Sequence, residues 1–294
     1  MYARIACLLI CAFNAVPGLA QESGTLKKIG ASNTIVIGHR ESSIPFSYLD
    51  DKQQPIGYSM DLCLRIVDAV KARLNLPGLQ VKFNPVTSQT RIPLITNGTV
   101  DLECGSTTNS VERQKQVAFG VSTFITSVRM AVKANSGINS LTDLDGKAVA
   151  TTTGTTSDRY IKQAEIGKKI DVKNIYGKDH AESFLLLDTG RAAAFVMDDV
   201  LLAGLIANAK RPADFTIVGD ALSVEPYGIM LRRDDAPFKK LVDDTLIGLM
   251  KSGEIEKIYS KWFLAPIPPK GINLNLPLSP QLGEAIKNPN DKGV

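Results

Sequence analysis

The amino-acid sequence predicts an α/β protein with two lobes, each built on a mixed, mostly parallel sheet that is flanked by helices. Short β-branched apolar runs alternate along the chain with stretches whose apolar residues recur at helical spacing. Two extended runs interrupt this alternation, SVRMAVKA at residues 127–134 and YGIML at residues 227–231, and we interpret them as two crossing strands that join the lobes. With 294 residues, the chain is long enough for a buried core in each lobe.

The first lobe begins with the run TIVIG, whose β-branched residues predict a buried strand. Ser59 is suited to cap the next helix, in which Cys63 and Leu74 belong to one apolar stripe that ends before a Pro-Gly pair. A second strand, a short helix stopped by an Asn-Gly pair, and a third strand follow. The predicted strands are residues 34–38, 79–83 and 100–104, and the short helix is 92–96.

The second lobe repeats the alternation, after which the chain returns to the first lobe. Its predicted strands are residues 148–152, 171–176, 192–197 and 216–218, and its predicted helices include 184–187 and 200–208. Pro237 then occupies the favoured first turn of a helix over 237–251, and a further helix spans 254–263. The rest, to residue 294, has weak periodicity and is expected to wrap as a tail on the first lobe. The predicted first lobe is therefore 21–130 with 229–294, and the second is 131–228.

Residues 1–20 differ from the rest of the chain. One basic residue, Arg4, precedes an apolar run, and the segment ends in small residues at Ala20. This arrangement predicts a secretory signal peptide that is cleaved near Ala20, because the apolar run is too short for a membrane span. Neither Cys7 nor Cys11 lies in a convincing lipid-attachment context, so we expect the protein to be released and not anchored.

Charge and the content of cysteine and histidine indicate which partners, disulfides and metal sites to expect. The formal charge of +4 is small, and the basic residues form no block or aromatic-interleaved stripe, so we expect no nucleic-acid partner. Cys63 and Cys104 remain after cleavage, and oxidising conditions permit a disulfide between them, with two buried free thiols as the open alternative. Because His39 and His180 are the two histidines and no metal-ligand spacing is present, we predict no metal site.

The stretch after the third strand is small and hydroxyl-rich, with Gly105, Ser106 and Thr108. Small residues let a ligand approach the backbone, and Arg113 supplies a planar guanidinium that matches a carboxylate at two points. Together they predict a receptor for the carboxylate of a small molecule. The alternative is a polar turn with an exposed ion pair between Glu112 and Arg113.

Further candidates lie in the first lobe. Arg40 follows the first strand, where ligand sites of open α/β sheets lie, although it is equally suited to a solvated pair with Glu41. Ser88 is suited to cap the short helix. Arg91 lies at the start of that helix, where the helix dipole disfavours a positive charge. This indicates that the arginine has another reason for its position.

The second lobe contributes candidates at its strand ends. Thr155 and Thr156 lie at a strand-to-helix junction that favours an anion, with N-capping by Thr156 or Ser157 as the alternative. The spacing GxxxxGK[ST] of nucleotide-phosphate loops is absent. His180 begins a helix, where it either donates to an acidic ligand or lies at the surface near a cap. Asp198 and Asp199 end a strand and suit an ammonium group, while at least one of them is expected to cap the following helix.

Six stretches together resemble the periplasmic amino-acid-binding proteins of ABC transporters and, among these, the glutamate/aspartate-binding proteins. The resemblance runs over nearly the whole chain after residue 20, and the stretch 87–119 is highly specific. It implies the two-lobed periplasmic-binding-protein type II fold. The stretches are GHRESSIPFSY (38–48), TSQTRIPLITNGTVDLECGSTTNSVERQKQVAF (87–119), TTTGTTSD (151–158), KDH (178–180), FVMDDVLLAG (195–204) and KWFLAPIPP (261–269).

The resemblance implies a clamp around one amino acid. At the position of Arg40, many relatives that bind neutral or basic amino acids carry an acidic residue, so the cation here implies an acidic ligand side chain. The implied contacts are Arg113, Ser106, Thr108 and the amides near Thr155 and Thr156 for the α-carboxylate, Asp198 (with Asp199 as second candidate) for the α-ammonium, and Arg40, Ser88, Arg91 and His180 for the side-chain carboxylate.

The implied function is non-enzymatic. A monomer without a cofactor captures L-glutamate or L-aspartate and delivers it to an inner-membrane ABC permease. No nucleophile–base arrangement is visible in the sequence, and we predict no catalytic residue. The alternatives are a periplasmic enzyme on the same fold, such as a dehydratase, and a soluble ligand sensor.

Overall fold

The computed structural model describes residues 24–294, so the predicted signal peptide lies outside the described residues. The strands are β1 Thr34–His39, β2 Ser42–Ser43, β3 Ser47–Leu49, β4 Pro55–Ile56, β5 Gln80–Pro85, β6 Leu102–Glu103, β7 Val117–Phe119, β8 Phe124–Thr126, β9 Val128–Lys133, β10 Ala148–Thr152, β11 Lys173–Gly177, β12 Ala194–Asp198, β13 Phe215–Val218, β14 Glu225–Tyr227 and β15 Met230–Arg232. The α-helices are α1 Gly24–Ser32, α2 Tyr58–Leu74, α3 Arg91–Thr96, α4 Val111–Gln114, α5 Thr156–Lys168, α6 His180–Asp188, α7 Asp199–Asn208, α8 Ala236–Lys251, α9 Glu254–Phe263 and α10 Pro280–Lys287.

The first lobe is organised around a five-stranded sheet in the order β5-β1-β6-β15-β7. Strand β1 pairs in parallel with β5 and β6, and β15 runs antiparallel between β6 and β7. Helix α2 packs on β1 with most of its predicted apolar stripe buried, and α8 and α9 pack against α2. The mixed sheet flanked by helices confirms the predicted fold class for this half.

The second lobe has a sheet of the same size, in the order β11-β10-β12-β9-β13. Strand β10 pairs in parallel with β11 and β12, while β9 runs antiparallel to β12 and β13. The apolar run predicted at residues 127–134 therefore lies inside this sheet, as β9, and does not cross between the lobes. Of the run at 227–231, Met230 and Leu231 likewise belong to the first sheet, in β15, while Tyr227 ends β14.

A short two-stranded ribbon makes the connection instead. Strands β8 and β14 pair antiparallel, with Glu225 opposite Thr126 and Tyr227 opposite Phe124. Each strand has only three residues, and β14 contains Pro226, which is tolerated because each strand of a two-stranded ribbon is an edge strand. Two crossing strands are thus present as predicted, but β8 lies before the run at 127–134 and β14 overlaps the run at 227–231 only at Tyr227. Strands this short have no hydrophobic period that the sequence could reveal.

An aromatic cluster packs beneath the ribbon. The ring centroids of Phe124 and Phe263 are 5.0 Å apart, those of Phe46 and Phe124 are 4.8 Å apart, and those of Tyr259 and Phe263 are 4.4 Å apart. Tyr227 of the second crossing strand joins the same cluster through Phe46. The cluster attaches the connection firmly to the first lobe.

A disulfide ties helix α2 to the end of β6. Cys63 and Cys104 are bonded, with their Cα atoms 6.3 Å apart, so the alternative of two free thiols is wrong. The bond fixes the start of the hydroxyl-rich stretch that follows Cys104. Within residues 24–294, no helix is both long and apolar enough to cross a bilayer.

The final stretch of the chain packs on the first lobe, as expected of a tail. Ser279 caps α10 and Pro280 occupies its first turn, while Leu282 and Ile286 are buried. The helix has only eight residues, which explains the weak periodicity in the sequence. Beyond α10 the chain continues as an extended segment to Val294.

Candidate functional site

The predicted site residues meet between the two sheets, on loops and helix starts that follow the strands. Arg40 follows β1, Ser106 follows β6, and Asp198 ends β12, so both lobes present the carboxyl ends of parallel strands to one cleft. Of the ten residues, Thr155 alone is half-exposed and the others are buried. Contacts between the lobes bring the two halves of the set together.

Arg113 links the lobes directly. It lies on the four-residue helix α4, whose start is capped by the Ser110 side chain. Its Nη1 donates to the carbonyl of Thr108 at 2.9 Å, and its Nη2 donates across the cleft to the carbonyl of Gly154 at 3.3 Å. Burial, followed by the nearby charge of Arg91, lowers the pKa of Arg113 to about 9, so it stays a cation at neutral pH.

Arg91 is held through a hydroxyl by a carboxylate that the sequence analysis missed. Its Nη1 donates to Thr107 Oγ1 at 2.7 Å, and Thr107 in turn donates to Glu103 Oε2 at 2.5 Å. Burial lowers the pKa of Arg91, while Glu103 opposes that effect. Glu103 therefore explains why an arginine is present at the start of α3. The sequence contained one signal for this role, because Glu103 is a charged residue within an otherwise apolar strand.

Arg40 and His180 approach each other from opposite lobes. Arg40 Nη2 lies 3.4 Å from His180 Nε2, and Nδ1 of the same imidazole lies 3.1 Å from Thr152 Oγ1. Burial, Arg40 and Arg91 hold the pKa of His180 well below its usual range, so the ring is neutral. Because a guanidinium can only donate, Nε2 accepts and the ring proton is on Nδ1. His180 is thus placed to orient Arg40 through Nε2, and because its side chain is buried, the alternative of a surface position near a cap is wrong.

The two adjacent aspartates face different surroundings. Asp198 Oδ2 accepts a hydrogen bond from the Tyr227 hydroxyl, and its Oδ1 is buried without a partner. Asp199 instead accepts from Thr126 at 2.5 Å, beside the crossing ribbon. Burial and then the charge of Glu225 raise the pKa of Asp198 to about 7. Asp198 makes no side-chain cap bond to α7, so helix capping does not explain its position.

Glu225 is a second carboxylate that sequence reasoning missed. It lies fully buried on the crossing strand β14, where its Oε2 accepts from Thr108 Oγ1 at 2.6 Å and from Thr156 Oγ1 at 2.8 Å. The two threonines belong to different lobes, so Glu225 joins them. Their hydroxyls are directed at Glu225, which leaves their backbone groups as the parts suited to a ligand.

The remaining serines and threonine occupy the cleft edges. Ser106 Oγ donates to Ser43 Oγ at 3.3 Å, and Thr155 caps α5 through its side chain. The cleft also contains buried polar atoms that have no hydrogen-bond partner. Some are donors on arginine or serine side chains and the others are carboxylate acceptors, so together they suit a ligand that carries both anionic and cationic groups. These atoms are Arg40 Nη1, Ser88 Oγ, Arg91 Nε, Glu103 Oε1, Asp198 Oδ1 and Glu225 Oε1.

In the part of the chain that the structure describes, no group of three or more His, Cys, Asp or Glu side chains is arranged to hold a metal ion. The arginines instead outline a site for organic anions.

Comparison with known proteins places the chain among solute-binding proteins. Residues 35–265 match the profile of the bacterial extracellular solute-binding proteins, family 3. The chain is 53% identical to an L-glutamate/L-aspartate-binding protein of Pseudomonas aeruginosa, over 97% of this chain and 95% of that protein. It is 52% identical to a glutamate/aspartate import solute-binding protein of Escherichia coli, over 92% of this chain and 89% of that protein.

Solved structures give the same fold. A mutant of an arginine-binding protein from T. maritima aligns with a TM-score of 0.71 at 27% identity, covering 81% of this chain and 98% of that one. An ancestral amino acid-binding protein described as a precursor of cyclohexadienyl dehydratase aligns with a TM-score of 0.71 at 28% identity, covering 81% of this chain and 99% of that one. The type II periplasmic-binding-protein fold predicted from the sequence is thereby confirmed.

Proposed function

The chain belongs to the bacterial extracellular solute-binding proteins of family 3, and on that premise we propose that it captures L-glutamate or L-aspartate and delivers it to an ABC permease. Its relatives with about half of their residues identical are binding proteins and not enzymes, so it is not an enzyme. The predicted lobe boundaries, 21–130 with 229–294 and 131–228, shift because β9 lies in the second sheet, so we assign residues 127–224 to the second lobe and the other described residues to the first. We place the protein in the periplasm as a monomer.

The observation that carries the proposal is a set of three buried arginines facing buried carboxylates with free oxygens. Arg113 receives the α-carboxylate, together with Ser106, Thr108 and the start of α5 at Thr155 and Thr156. Asp198 receives the α-ammonium on its free Oδ1. The side-chain carboxylate is held by Arg40, Ser88 and Arg91, and His180 orients Arg40.

Local charge pairing favours an acidic ligand. Glu103 and Glu225 add two carboxylates to Asp198, so the three arginines face three acidic groups and not the single one that the sequence suggested. The preference therefore depends on where the charges lie and not on their sum. Arg40 and Arg91 offer two cations to a side-chain carboxylate, and Asp198 offers its free oxygen to the ammonium group, so each charge of a dicarboxylic amino acid meets an opposite partner.

Ligand capture involves closure of the lobes. The structure has interlobe contacts between Arg113 and Gly154, between Arg40 and His180, and from the Ala181 amide to Ser42 Oγ at 3.4 Å. A ligand that contacts both lobes adds to these contacts and shifts the population toward the closed form. Micromolar affinity, about −8 kcal/mol, is within reach of two or three charge-assisted contacts.

Titration calorimetry on ligand-stripped protein tests this proposal. We expect binding of L-glutamate or L-aspartate with a Kd in the micromolar range or below, and at least about a hundredfold weaker binding of L-glutamine and L-arginine, because each leaves buried charges unpaired. Stronger binding of L-arginine than of either acidic amino acid would contradict it.

Arg40→Ala separates side-chain recognition from general amino-acid binding. We expect it to weaken binding of acidic amino acids by at least about a hundredfold, since an uncompensated buried charge costs about 3 kcal/mol or more. Arg191→Ala, at an exposed arginine, is the matched control and should bind as the parent does. Equal losses for acidic and neutral ligands would refute the role given to Arg40.

A further inference from the structure

The last residues of the chain form an extended strap, residues 290–294, that runs along the loop carrying Arg113. The amide of Val294 donates to the carbonyl of Asn109 at 3.1 Å, and the carbonyl of Val294 accepts from the amide of Val111 at 3.0 Å. The carbonyl of Asp291 accepts from Asn109 Nδ2 at 2.9 Å and from Gln114 Nε2 at 3.0 Å. The strap thus bonds to both sides of helix α4.

Helix α4 needs this support because it is so short. Four residues, Val111–Gln114, are far fewer than a helix needs to be stable by itself. Its first amides have no partner within the helix. The carbonyl of Val294 satisfies the amide of Val111, and the Ser110 side chain satisfies that of Arg113. The strap therefore completes the capping of the turn on which Arg113 is placed.

The strap is itself fixed to the body of the first lobe. Asp291 forms an ion pair with Lys239 of α8 at 2.9 Å, and Lys239 also pairs with Asp243 at 2.5 Å. The amide of Ser122 donates to the carbonyl of Asn290 at 2.9 Å. These contacts connect α4 through the strap to α8 and to the segment just before the crossing strand β8.

The contact between the strap and α4 leaves no space for a side chain at Gly293. A Cβ there would lie 2.8 Å from the backbone nitrogen of Val111 and 2.9 Å from the carbonyl carbon of Ser110. Both neighbours are backbone atoms, so they cannot yield by a change of rotamer. Lys292, next to it, is exposed. A substitution at Gly293 should therefore disrupt the contact, and a substitution at the adjacent Lys292 serves as its control.

We propose that the strap is a positioning element for amino-acid binding, which holds Arg113 in the orientation that receives the α-carboxylate. This inference rests on the role given to Arg113 in the proposed function. The strap lies beyond residue 265, where the match to the family profile ends. Because every amino acid has an α-carboxylate, loss of the strap weakens all amino-acid ligands by the same factor, unlike loss of Arg40.

The test compares Gly293→Ala, a deletion of residues 290–294, and Lys292→Ala with the parent protein. In ligand-free protein, we expect faster hydrogen exchange at the amides of Val111 and Gln114 in the first two variants and unchanged exchange in Lys292→Ala. In Gly293→Ala and in the deletion variant, the Kd of L-glutamate should rise at least about tenfold. Most of this rise should come from faster dissociation, because Arg113 is then held less firmly against the α-carboxylate. L-Aspartate should lose affinity by the same factor.

Three outcomes would overturn the inference. One is faster exchange in α4 with unchanged affinity, and another is unchanged exchange in α4. The third is a loss of affinity accompanied by faster exchange throughout the first lobe, which indicates general destabilisation. If the parent protein binds a different amino acid and no acidic one, the proposed specificity fails, but the strap is still tested by the same exchange and by the Kd of that amino acid.

Discussion

At the scale of single residues, the site is organised by hydroxyl groups placed between buried charges. The hydroxyl of Thr107 lies between Arg91 and Glu103, and Glu225 accepts hydrogen bonds from threonine hydroxyls of both lobes. Each hydroxyl accepts or donates according to its neighbours, so buried charges are oriented without each requiring an opposite charge in direct contact. This leaves charged atoms free for a ligand.

Asp198 makes ligand binding depend on pH. Its pKa is raised to about 7 by burial and by Glu225, with Asp199 acting in the same direction and Arg113 and the Tyr227 hydroxyl opposing it. Below that pH the carboxyl holds a proton, which must leave before an ammonium group can pair with it. We therefore expect affinity for L-glutamate to increase from pH 5 to 7 and to level off near pH 8, with binding at pH 5 about a hundredfold weaker than the plateau. Calorimetry across this range measures it.

Two substitutions should move that transition in opposite directions. Glu225→Gln removes the charge that raises the pKa of Asp198, so the midpoint should move to lower pH. Tyr227→Phe removes a hydrogen bond that lowers the pKa, so the midpoint should move to higher pH. Shifts in the same direction would contradict this account. In ligand-free protein, acidic pH has the opposite effect, because it increases stability. The pKa of Asp198 is about 4 in the unfolded chain and about 7 in the folded protein, so protonation of Asp198 stabilises the fold fully below about pH 4, and this stabilisation is lost as the pH rises through about 7.

The sequence predicted the residues that stand out from their surroundings. Arg40 follows a strand, Asp198 ends one, and Arg113 follows a small, hydroxyl-rich stretch, so each charge stands out from its neighbours in the sequence. Glu103 and Glu225 lie within strands, and their importance depends on which residues of distant segments meet them, which sequence order does not reveal. The tautomer of His180 likewise depends on Arg40, a residue of the opposite lobe.

At the scale of elements, long periodic segments were predictable and short ones were not. Helices α2, α8 and α9 have clear apolar stripes and were predicted at nearly their observed bounds. The crossing strands β8 and β14 have three residues each and depend on pairing with each other. Their positions follow from the tertiary structure and not from local propensity.

The disulfide between α2 and the end of β6 should contribute strongly to stability. It closes a loop with a sequence separation of 41 residues, for which chain entropy predicts about 4 kcal/mol. We expect urea unfolding of a variant with Cys63→Ala and Cys104→Ala to show a loss of this size relative to the oxidised parent. Reductant should lower the midpoint of the parent and leave that of the double variant unchanged. Identical midpoints for the oxidised parent and the double variant would contradict the prediction.

At the scale of the whole molecule, the ribbon and the lobe contacts make the protein a clamp. The aromatic cluster attaches the ribbon to the first lobe, so relative motion must involve the second lobe and the ends of β8 and β14. Gly154 marks where the second lobe meets the first. A Cβ there would lie 2.8 Å from Gln89 Cα and 2.9 Å from the Ser88 carbonyl carbon, both in the opposite lobe.

Gly154→Ala should therefore oppose closure. Its φ of +82° also makes alanine unfavourable, and Gly146 offers a control for that effect, because its φ is +70° and a Cβ there meets no atom within 4 Å. Both variants should lose about 1 kcal/mol or slightly more of stability from the backbone conformation. Only Gly154→Ala should also lose affinity for L-glutamate, by at least about tenfold, and show a smaller ligand-induced decrease in the radius of gyration in small-angle X-ray scattering. Equal affinities in the two variants would mean that the Gly154 contact with Ser88 and Gln89 does not control closure.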